Sequence, residues 1–566
     1  MIIKSIAQLE EIRQEQLKNR DKYKYRVSVC GGTGCFSANC AEVKDAVEKE
    51  IQLHGIAKDV KVYQTGCIGI CALGPVMMVY PEKILYTELN AEKAKEIVQS
   101  HLVNHTPIEK YTYFDKTLKR HIPKIDDIEF FKSQTRIVRD LSGTIDIADI
   151  KDYIAHGGYY AAAKALTQMT REDIIREVEI SGIRGRGGAG YPTGAKLRAG
   201  FKKKRATKYM VCNADEGDPG AFVDRSFIEG DPHCLIEGML ISAYAIGARQ
   251  GYVYIRAEYP MAFERLQTAI NQAYTCGLLG DNLFGTEYGF HLEIKIGAGA
   301  FVCGEETALI SAIEGQRGEP KQKPPYPAQR GILGYPTVVN NVETLANIPK
   351  IINKGGKWYS GFGLNNATGT KIFSLAGKIV NTGVIEVPIG TSLKTIVYKI
   401  GGGIPDNKNL KAVQIGGPSG GYIPIEHIDT PVDYESLSKL GTIMGSGGLI
   451  VMNDKICMVD SARFFMEFFC DESCGRCVPC RVGTKRMLDI LENITQGKGT
   501  ADDFELLNEI GETVRELAIC GLGQAAPNPV FSAIRFFREE FEEHIHKKYC
   551  RAGVCSMNSK QLKIEN

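Results

Sequence analysis

The sequence of 566 residues predicts an α/β protein built from several domains. A chain of this length exceeds one hydrophobic core and suggests about three to five domains. Helical and strand-like patterns alternate over most of the chain, and the pattern then changes twice. The predicted parts are two α/β domains at 1–110 and 140–369, a strand- and glycine-rich domain at 370–449, a helical domain at 450–545, a polar linker at 111–139 and a tail at 546–566.

Composition and charge favour a soluble globular protein, and the cysteine usage described next favours the cytoplasm. Hydrophobic residues make up 43% of the chain and charged residues 24%, with a formal net charge of +2. This balance gives no electrostatic reason to expect nucleic acid or an anionic membrane as a partner. The apolar stretch Ile236–Tyr254 is interrupted by Glu237, Arg249 and Gln250, which predicts a buried helix and strand instead of a membrane span. The polar N-terminal helix, Ile6–Lys18, lacks the apolar centre of a signal peptide.

The 17 cysteines are unusually many for such a chain. An odd number and no export signal argue against a disulfide framework. Several cysteines fall into short groupings, a pattern that favours metal or cluster ligation in a reducing compartment. Redox chemistry is therefore expected.

The first cysteine group lies in two glycine-containing loops. Four residues separate Cys30 from Cys35, and three separate Cys67 from Cys71. Two loop pairs of thiolates after strands suit a [2Fe–2S] cluster, whereas zinc sites more often have C-x-x-C in both halves. Cys40 competes as a ligand, but its place at the start of a helical pattern favours a buried structural thiol.

The second group has the most specific spacing in the chain. Cys474, Cys477 and Cys480 form C-x2-C-x2-C, and Cys520 follows far downstream. Three thiolates on a tight loop and one from a distant helix end suit a [4Fe–4S] cubane, with zinc as the alternative.

The tail suggests a third metal site. His544, His546, Cys550 and Cys555 form half a site, which Cys457 would complete. We hypothesise zinc held by Cys457, Cys550, Cys555 and one histidine, with His544 as the first choice and His546 as the alternative. The alternative is a set of partly buried thiols without a metal.

A glycine loop fits the G-x-G-x-x-G pattern at Gly185–Gly190. A Rossmann loop should follow a strand, but Arg171–Glu179 has helical spacing, so that unit is disfavoured. A phosphate-cradling loop remains, with positive charge from Arg184, Arg186 and Lys196.

Four further segments carry polar groups of the same kind. Each alone is typical of ordinary turns and caps, but together they predict a pocket for a flavin and a nucleotide, with amides and carboxylates for ring edges and sugar hydroxyls. They are the acidic loop Asn213–Gly220, the glycine-to-carboxylate run Gly297–Thr307, the rigid Lys323–Pro327 and the amide pair in Asn340–Thr344.

In their order, these motifs resemble the FMN- and NADH-binding subunit of respiratory complex I and its relatives in soluble NAD-linked hydrogenases and formate dehydrogenases. The resemblance covers about residues 140–545. It implies that FMN contacts Gly185, Arg186, Gly187, Lys196, Asn213, Asp215, Gly304, Glu305, Asn340, Asn341 and Thr344. It implies that NADH contacts Tyr191, Lys196, Asp218, Glu306 and Tyr326. Asp218 stands where complex I usually has Glu, and the two tyrosines stand where Phe is common; charge and ring are kept.

The other parts resemble domains of the same family. Residues 1–110 resemble the thioredoxin-like [2Fe–2S] ferredoxin domain, residues 370–449 a β-grasp (SLBB-like) domain, and residues 450–545 the helical [4Fe–4S] domain. The implied activity is hydride exchange between NAD(H) and FMN, followed by one-electron transfer through both clusters. An acidic side chain near the adenosine ribose favours NADH over NADPH.

The implied partners are a small [2Fe–2S] subunit and a catalytic subunit. The fused N-terminal domain and the tail favour a soluble NAD-linked [FeFe] hydrogenase or an NAD-dependent formate dehydrogenase over complex I. We take the hydrogenase as the first choice; the formate dehydrogenase, with or without electron bifurcation, and complex I are alternatives. A zinc-organised scaffold without enzymatic activity is the alternative from another class.

Overall fold

The computed structural model describes residues 2–116, 118–364 and 366–557. The expected α/β class is confirmed, with a small sheet near the N-terminus, a parallel sheet in the centre, a mixed sheet and a C-terminal set of helices. The end of the predicted tail, residues 558–566, lies outside the described residues.

The N-terminal sheet places two loops at one edge. Its strands, in spatial order, are Val60–Thr65, Tyr25–Cys30, Met77–Tyr80 and Ile84–Tyr86. The first two are parallel and the rest antiparallel. The surrounding helices are Ile6–Arg20, Thr33–Ser37, Cys40–Leu53 and Ala91–Ile97. Parallel strands end at the same edge, so the loops after Cys30 and Thr65 lie side by side.

The predicted polar linker, 111–139, is packed and folded. It contains a hairpin of Tyr113–Asp115 and Arg120–Ile122 and a short helix, Glu129–Lys132. Its buried residues Phe130 and Phe131 belong to one hydrophobic core with both the N-terminal sheet and the mixed sheet. The few apolar side chains of this segment lie among many polar ones, so this packing was not evident from the sequence.

A four-stranded parallel sheet carries the central part. Its spatial order is Thr337–Asn341, Tyr209–Ala214, Gln250–Arg256 and His291–Gly297. The apolar stretch forms the buried helix Pro232–Ile246 and part of a strand, as predicted. The other helices are Ile150–Ala155, Tyr160–Gln168, Arg171–Ser181, Thr193–Phe201, Val223–Gly230, Pro260–Thr275, Glu306–Ile313, Val342–Lys354 and Gly356–Ser360.

The mixed sheet has five strands. In spatial order they are Gly383–Pro388, Thr370–Gly377, Gly448–Asn453, Leu410–Ile415 and Gly421–Pro424. The parallel pair Thr370–Gly377 and Gly448–Asn453 lies inside, with antiparallel strands outside, which is the β-grasp arrangement. The predicted boundary at residue 449 falls inside one of these strands.

Helices make up the C-terminal part. They are Met458–Glu472, Val478–Thr495, Asp503–Leu517, Gly521–Ala525 and Asn528–Glu542. Within the described ranges, no helix combines the length and apolar character needed to cross a bilayer.

Candidate flavin, nucleotide and cluster sites

Two adjoining cavities lie at the carboxyl ends of the parallel sheet, where α/β proteins commonly bind ligands. One encloses about 690 Å³ and the other about 490 Å³. Both are lined by Gly187, Asn213, Glu305 and Asn341, so they are parts of one cleft. Asn213 and Asn341 are register partners at the ends of adjacent parallel strands.

The glycine loop forms one wall of this cleft. The N–H of Gly185 donates to the carbonyl of Tyr191 at 2.8 Å and closes the loop. A Cβ added to Gly187 would lie 3.0 Å from Cβ of Asn341, so glycine keeps the approach to the strand end open. The loop follows the helix Arg171–Ser181, which confirms that it is no Rossmann strand–loop–helix unit.

The side chain of Arg186 anchors the loop and does not line either cavity. Arg186 is 1% exposed, and its guanidinium donates to the carbonyl of Thr368 at 2.7 Å and to Oη of Tyr359 at 3.1 Å. Its backbone N–H donates to Oγ1 of Thr344 at 2.8 Å. The resemblance placed Arg186 among the flavin contacts; the geometry gives its guanidinium a structural role, because carbonyl and hydroxyl acceptors enclose it.

Polar groups from two strand ends face the cleft. Nδ2 of Asn213 donates to the carbonyl of Gly304 at 2.8 Å, and its Oδ1 accepts the N–H of Asp215 at 3.0 Å. Two buried atoms, Oδ2 of Asp215 and Nδ2 of Asn340, have no hydrogen-bond partner among the described residues. Buried polar atoms are normally satisfied, so a polar ligand fits here. FMN offers ring carbonyls, a ring N–H and ribityl hydroxyls to such groups.

Each of the three carboxylates of the acidic loop interacts with a different hydrogen-bond donor. Separate donors offset the repulsion between these closely spaced carboxylates. Glu216 accepts two backbone N–H groups of the next helix. Burial raises the pKa of Asp215 to about 7, although Nη1 of Arg256 lies 3.3 Å from its Oδ1. Burial also raises the pKa of Asp218 to about 6, and the hydroxyl of Ser446 donates to this carboxyl group. Asp218 lines the smaller cavity, away from the other expected nucleotide contacts.

Those other contacts line the larger cavity together. Tyr191 and Tyr326 are 57% and 55% exposed, so their rings are open to stacking. Nζ of Lys196 lies 3.0 Å from Oε2 of Glu306, and Nζ of Lys323 lies 3.6 Å from Oε1 of the same carboxylate. Burial alone would raise the pKa of Glu306, but the two lysines hold it below its ordinary value.

Some residues of the cleft were missed by sequence reasoning. Lys323 was assigned no role, although the paired carboxylates Glu305 and Glu306 require a neighbouring cation. Tyr434 and Ser446 reach the smaller cavity from the β-grasp domain. No local sequence signal points to such long-range neighbours.

The first cysteine group converges around one small cavity. Cys30 ends its strand, and the Cys67 loop begins after the parallel neighbour. Sγ of Cys67 lies 3.6 Å from Sγ of Cys71, and Cys30 and Cys35 line the same cavity. Four thiols around one cavity fit a [2Fe–2S] cluster. Cys40 is buried in its helix and does not line the cavity.

The second group lies beside the cleft. Cys474 and Cys477 precede the helix that contains Cys480, and Cys520 immediately precedes a short helix. Cys480 is buried in a hydrophobic cluster against which Cys474, Cys477 and Cys520 all pack, so the four side chains lie in one region. Burial, and then the nearby thiols, raise the pKa of Cys480 to about 11. Gly521 lines both cavities, so the Cys520 loop borders the cleft.

The third group also converges. The ligand atoms of Cys457, His544, Cys550 and Cys555 lie within 4.8 Å of one another, and all four residues are buried. Nδ1 of His544 lies 2.6 Å from the carbonyl of Glu540, which leaves Nε2 facing the thiols.

Fold and sites together define a multi-cofactor flavin and iron–sulfur protein. Three family models match the chain: the Nuo51 FMN-binding domain at residues 178–350, the NADH-ubiquinone oxidoreductase-F iron-sulfur binding region at 460–544 and the thioredoxin-like [2Fe-2S] ferredoxin at 14–101. The domains that bind FMN, [4Fe–4S] and [2Fe–2S] are thereby confirmed.

Relatives cover most of the chain. It is 54% identical over 425 residues to the NADP-reducing hydrogenase subunit HndC of Solidesulfovibrio fructosivorans, covering 75% of this chain and 86% of that protein. It is 44% identical over 403 residues to an NADH-quinone oxidoreductase subunit of Aquifex aeolicus, covering 71% and 92%. A solved NAD+-reducing [NiFe]-hydrogenase in the H2-reduced state matches with a TM-score of 0.66 and 29% identity, covering 93% and 84%.

The chain therefore belongs to the family of flavin- and iron–sulfur-binding NADH oxidoreductase subunits, which includes the FMN-binding subunit of NADH-quinone oxidoreductases and its hydrogenase counterparts.

Proposed function

We propose that this chain exchanges hydride between NAD(H) and FMN and passes single electrons through its two clusters to partner subunits. The observation that carries the proposal is the position of Gly521: this residue directly follows Cys520, begins the short helix Gly521–Ala525, and lines the cleft that fits the flavin. Electron transfer from a two-electron carrier to a one-electron carrier requires a short distance between the two. When bound, FMN supplies the conversion, since it accepts two electrons as hydride and releases them singly.

The chain's own residues would bind and orient both molecules. Backbone groups of Gly185, Gly187 and Gly304 admit phosphate and ring, while Asn213 and Asn340 offer amides from the strand ends. Asp215, Glu305, Asn341 and Thr344 would complete the flavin contacts. No side chain needs to act as nucleophile or base, because the cofactor carries the chemistry.

The nucleotide would lie toward the open end of the larger cavity. Tyr191 and Tyr326 would stack on its rings, and Lys196 and Glu306 would contact its polar groups. The relative HndC is named as a subunit of an NADP-reducing hydrogenase. We propose NADH, because the Glu306 carboxylate in the larger cavity would repel a 2′-phosphate.

Coenzyme preference has a direct test in Glu306→Gln. The ratio of kcat/KM for NADH to that for NADPH should exceed one in the native chain and fall in the variant. Loss of hydrogen bonds to a charged group costs about 1.5–3 kcal/mol, or roughly 10- to 150-fold in NADH binding. Equal use of both coenzymes by the native chain would contradict the preference.

The proposed partners are a small [2Fe–2S] subunit and a catalytic hydrogenase subunit in the cytoplasm. The identity to HndC and the match to an NAD+-reducing hydrogenase support a hydrogenase over a formate dehydrogenase or complex I. We favour an [FeFe] centre, and metal analysis of the co-purified partner decides among iron alone, nickel with iron, and molybdenum or tungsten.

Zinc at the C-terminal group is a further part of the proposal. Sγ of Cys457 lies 3.7 Å from Sγ of Cys555, and Nε2 of His544 lies 3.3 Å from Sγ of Cys555. Tetrahedral ligation with Zn–S near 2.3 Å requires S···S separations of about 3.8 Å. The His544–Glu540 contact would orient the imidazole for a metal.

Metal content tests this site. Cluster-loaded protein should contain one zinc, and Cys550→Ser should lose it while keeping both clusters. The exposed His546→Ala is the matched control, because it leaves all four ligands in place. Absence of zinc in the native, cluster-loaded chain would leave four buried side chains without a metal role and end this part of the proposal.

One anaerobic spectrum tests the central proposal. The native protein should contain FMN and iron, absorb between roughly 400 and 480 nm, and bleach when NADH is added. A colourless protein would favour the non-enzymatic, zinc-organised scaffold instead.

A further inference from the structure

The [2Fe–2S] cysteine loops are seated against the rest of the chain with backbone contacts. A Cβ on Gly66 would lie 2.2 Å from Cα of Gly230, and a Cβ on Gly69 would lie 2.7 Å from the carbonyl oxygen of Val384. The carboxylate of Glu229 accepts the N–H of Thr33 at 3.0 Å. The cluster loops are therefore fixed against the helix Val223–Gly230 and the β-grasp sheet.

Two arginines reach these loops from outside the thioredoxin-like domain. Arg265, on the helix Pro260–Thr275, donates through Nη2 to the carbonyl of Gly31 at 2.7 Å and through Nη1 to the carbonyl of Glu229 at 2.8 Å. Gly31 directly follows Cys30. The guanidinium thus ties one ligand loop to the helix on which it is seated.

Arg139 forms similar hydrogen bonds to the other ligand loop, which contains Cys67. It is 3% exposed, and its guanidinium donates to the carbonyl of Cys67 at 2.9 Å and to the carbonyl of Val384 at 2.6 Å. The nearby carboxylate of Glu386 accepts the backbone N–H of Arg139 and not its guanidinium. Among the described residues, neither Arg139 nor Arg265 has a carboxylate oxygen within 4.0 Å of its guanidinium; the nearby carboxylates of Glu386 and Glu229 accept backbone N–H groups instead.

We propose that Arg139 and Arg265 position the [2Fe–2S] ligand loops and raise the cluster's reduction potential. Reduction adds one negative charge to a cluster that four thiolates already make negative. Cations nearby stabilise the reduced form more than the oxidised form, and net charge and hydrogen bonding are what set such potentials. The inference depends on the proposed ligation by Cys30, Cys35, Cys67 and Cys71.

An EPR-monitored redox titration of the full chain tests the inference. Arg265→Gln and Arg139→Gln should each shift the [2Fe–2S] midpoint potential to a more negative value and lower the fraction of this cluster reduced at a fixed NADH/NAD+ ratio. The [4Fe–4S] potential in the same sample should stay constant. Arg265→Lys and Arg139→Lys keep the charge and should restore most of the potential. Arg176→Gln, whose side chain is 65% exposed, is the control.

The possible results distinguish a failure of the proposed ligation from a failure of the proposed role of the arginines. No [2Fe–2S] signal in the native chain would remove the proposed ligation itself. A normal signal with unchanged potential in both glutamine variants would overturn the role of the arginines. If a glutamine variant fails to load iron, the lysine variant at the same position is measured instead. Its midpoint potential is compared with that of the glutamine variant at the other position. Equal shifts in the two variants would show that packing and not charge matters, and would overturn the proposal.

Discussion

The two cluster sites differ in how the chain surrounds them. Three of the four proposed [4Fe–4S] ligands lie within Cys474–Cys480, and three of the four cysteines are partly exposed. Val478 and Leu517 next to it are 58% and 63% exposed. The [2Fe–2S] site has three buried cysteines and is enclosed by the flavin domain and the β-grasp sheet. One cluster faces outward beside the flavin cleft, and the other is enclosed by its own chain.

This difference suggests different duties. An exposed cluster next to the flavin is suited to deliver electrons to a partner subunit. An enclosed cluster, held by charges from other domains, is suited to have its potential set by this chain. Substitutions at either cluster site, or in the flavin cleft, test this difference.

Cys520→Ser should have the largest effect. It removes the ligand that borders the cleft, so the [4Fe–4S] cluster and electron transfer to an artificial one-electron acceptor should be almost completely lost, while NADH still bleaches the flavin. Iron content and stopped-flow absorbance measure both. Cys470→Ser, a nearby cysteine outside the quartet, should keep the cluster. Full electron transfer in Cys520→Ser would contradict the exit route.

The pH dependence of stability tests the cleft itself. Asp215 has a pKa of about 7 in the folded chain against an ordinary value of 3.8, so the folded state binds more protons between these values. The free energy of unfolding of flavin-free protein should therefore fall as pH rises from about 4 to 7, by up to about 4 kcal/mol from this group.

Denaturant titrations across this range provide the measurement. Asp215→Asn should reduce the fall, and the exposed Asp429→Asn should leave it unchanged. A free energy of unfolding that rises over this range, or an unaltered profile in Asp215→Asn, would be inconsistent with a buried, destabilised carboxylate.

Gly66→Ala should loosen the enclosed cluster. The added Cβ would meet Cα of Gly230 at 2.2 Å, and overpacking of this kind costs about 1–3 kcal/mol. We expect lower thermal stability and faster loss of the [2Fe–2S] signal on heating, with the [4Fe–4S] signal unaffected. Gly448→Ala, where the new Cβ makes only an ordinary 3.5 Å contact, is the control.

Leu517→Ser should have the smallest effect on the isolated chain. Exposed substitutions usually change stability by less than about 0.5 kcal/mol, so unfolding and NADH bleaching should remain close to native. Affinity for the partner subunit, measured by co-purification or titration, should weaken if this face receives the partner. A large loss of stability would show that Leu517 is structural.

The grouping of the cysteines was predictable because it follows local spacing. C-x2-C-x2-C keeps Cys474, Cys477 and Cys480 within seven residues, and Cys30 and Cys67 follow strand patterns that the sequence displays. The outcome for the cleft is more mixed. The motif order predicted segments that do line one cleft at the strand ends, but the guanidinium of Arg186 contacts Thr368 and Tyr359 and does not line that cleft.

The rest depends on contacts between distant segments. The folded linker at 111–139, the placement of Asp218 beside Ser446 and the reach of Arg139 and Arg265 to cysteine loops all join residues far apart in sequence. Periodicity reports which side of an element is buried, but not which other element covers it.

The most direct test is anaerobic NADH titration of the purified chain, followed by absorbance and EPR together. If a flavin beside a cysteine-held cubane splits the electron pair, flavin bleaching should be accompanied by one-electron reduction of iron–sulfur clusters, with the total electrons recovered matching two per NADH. Flavin bleaching without any reduced-cluster signal, or no spectral change at all, would contradict the account.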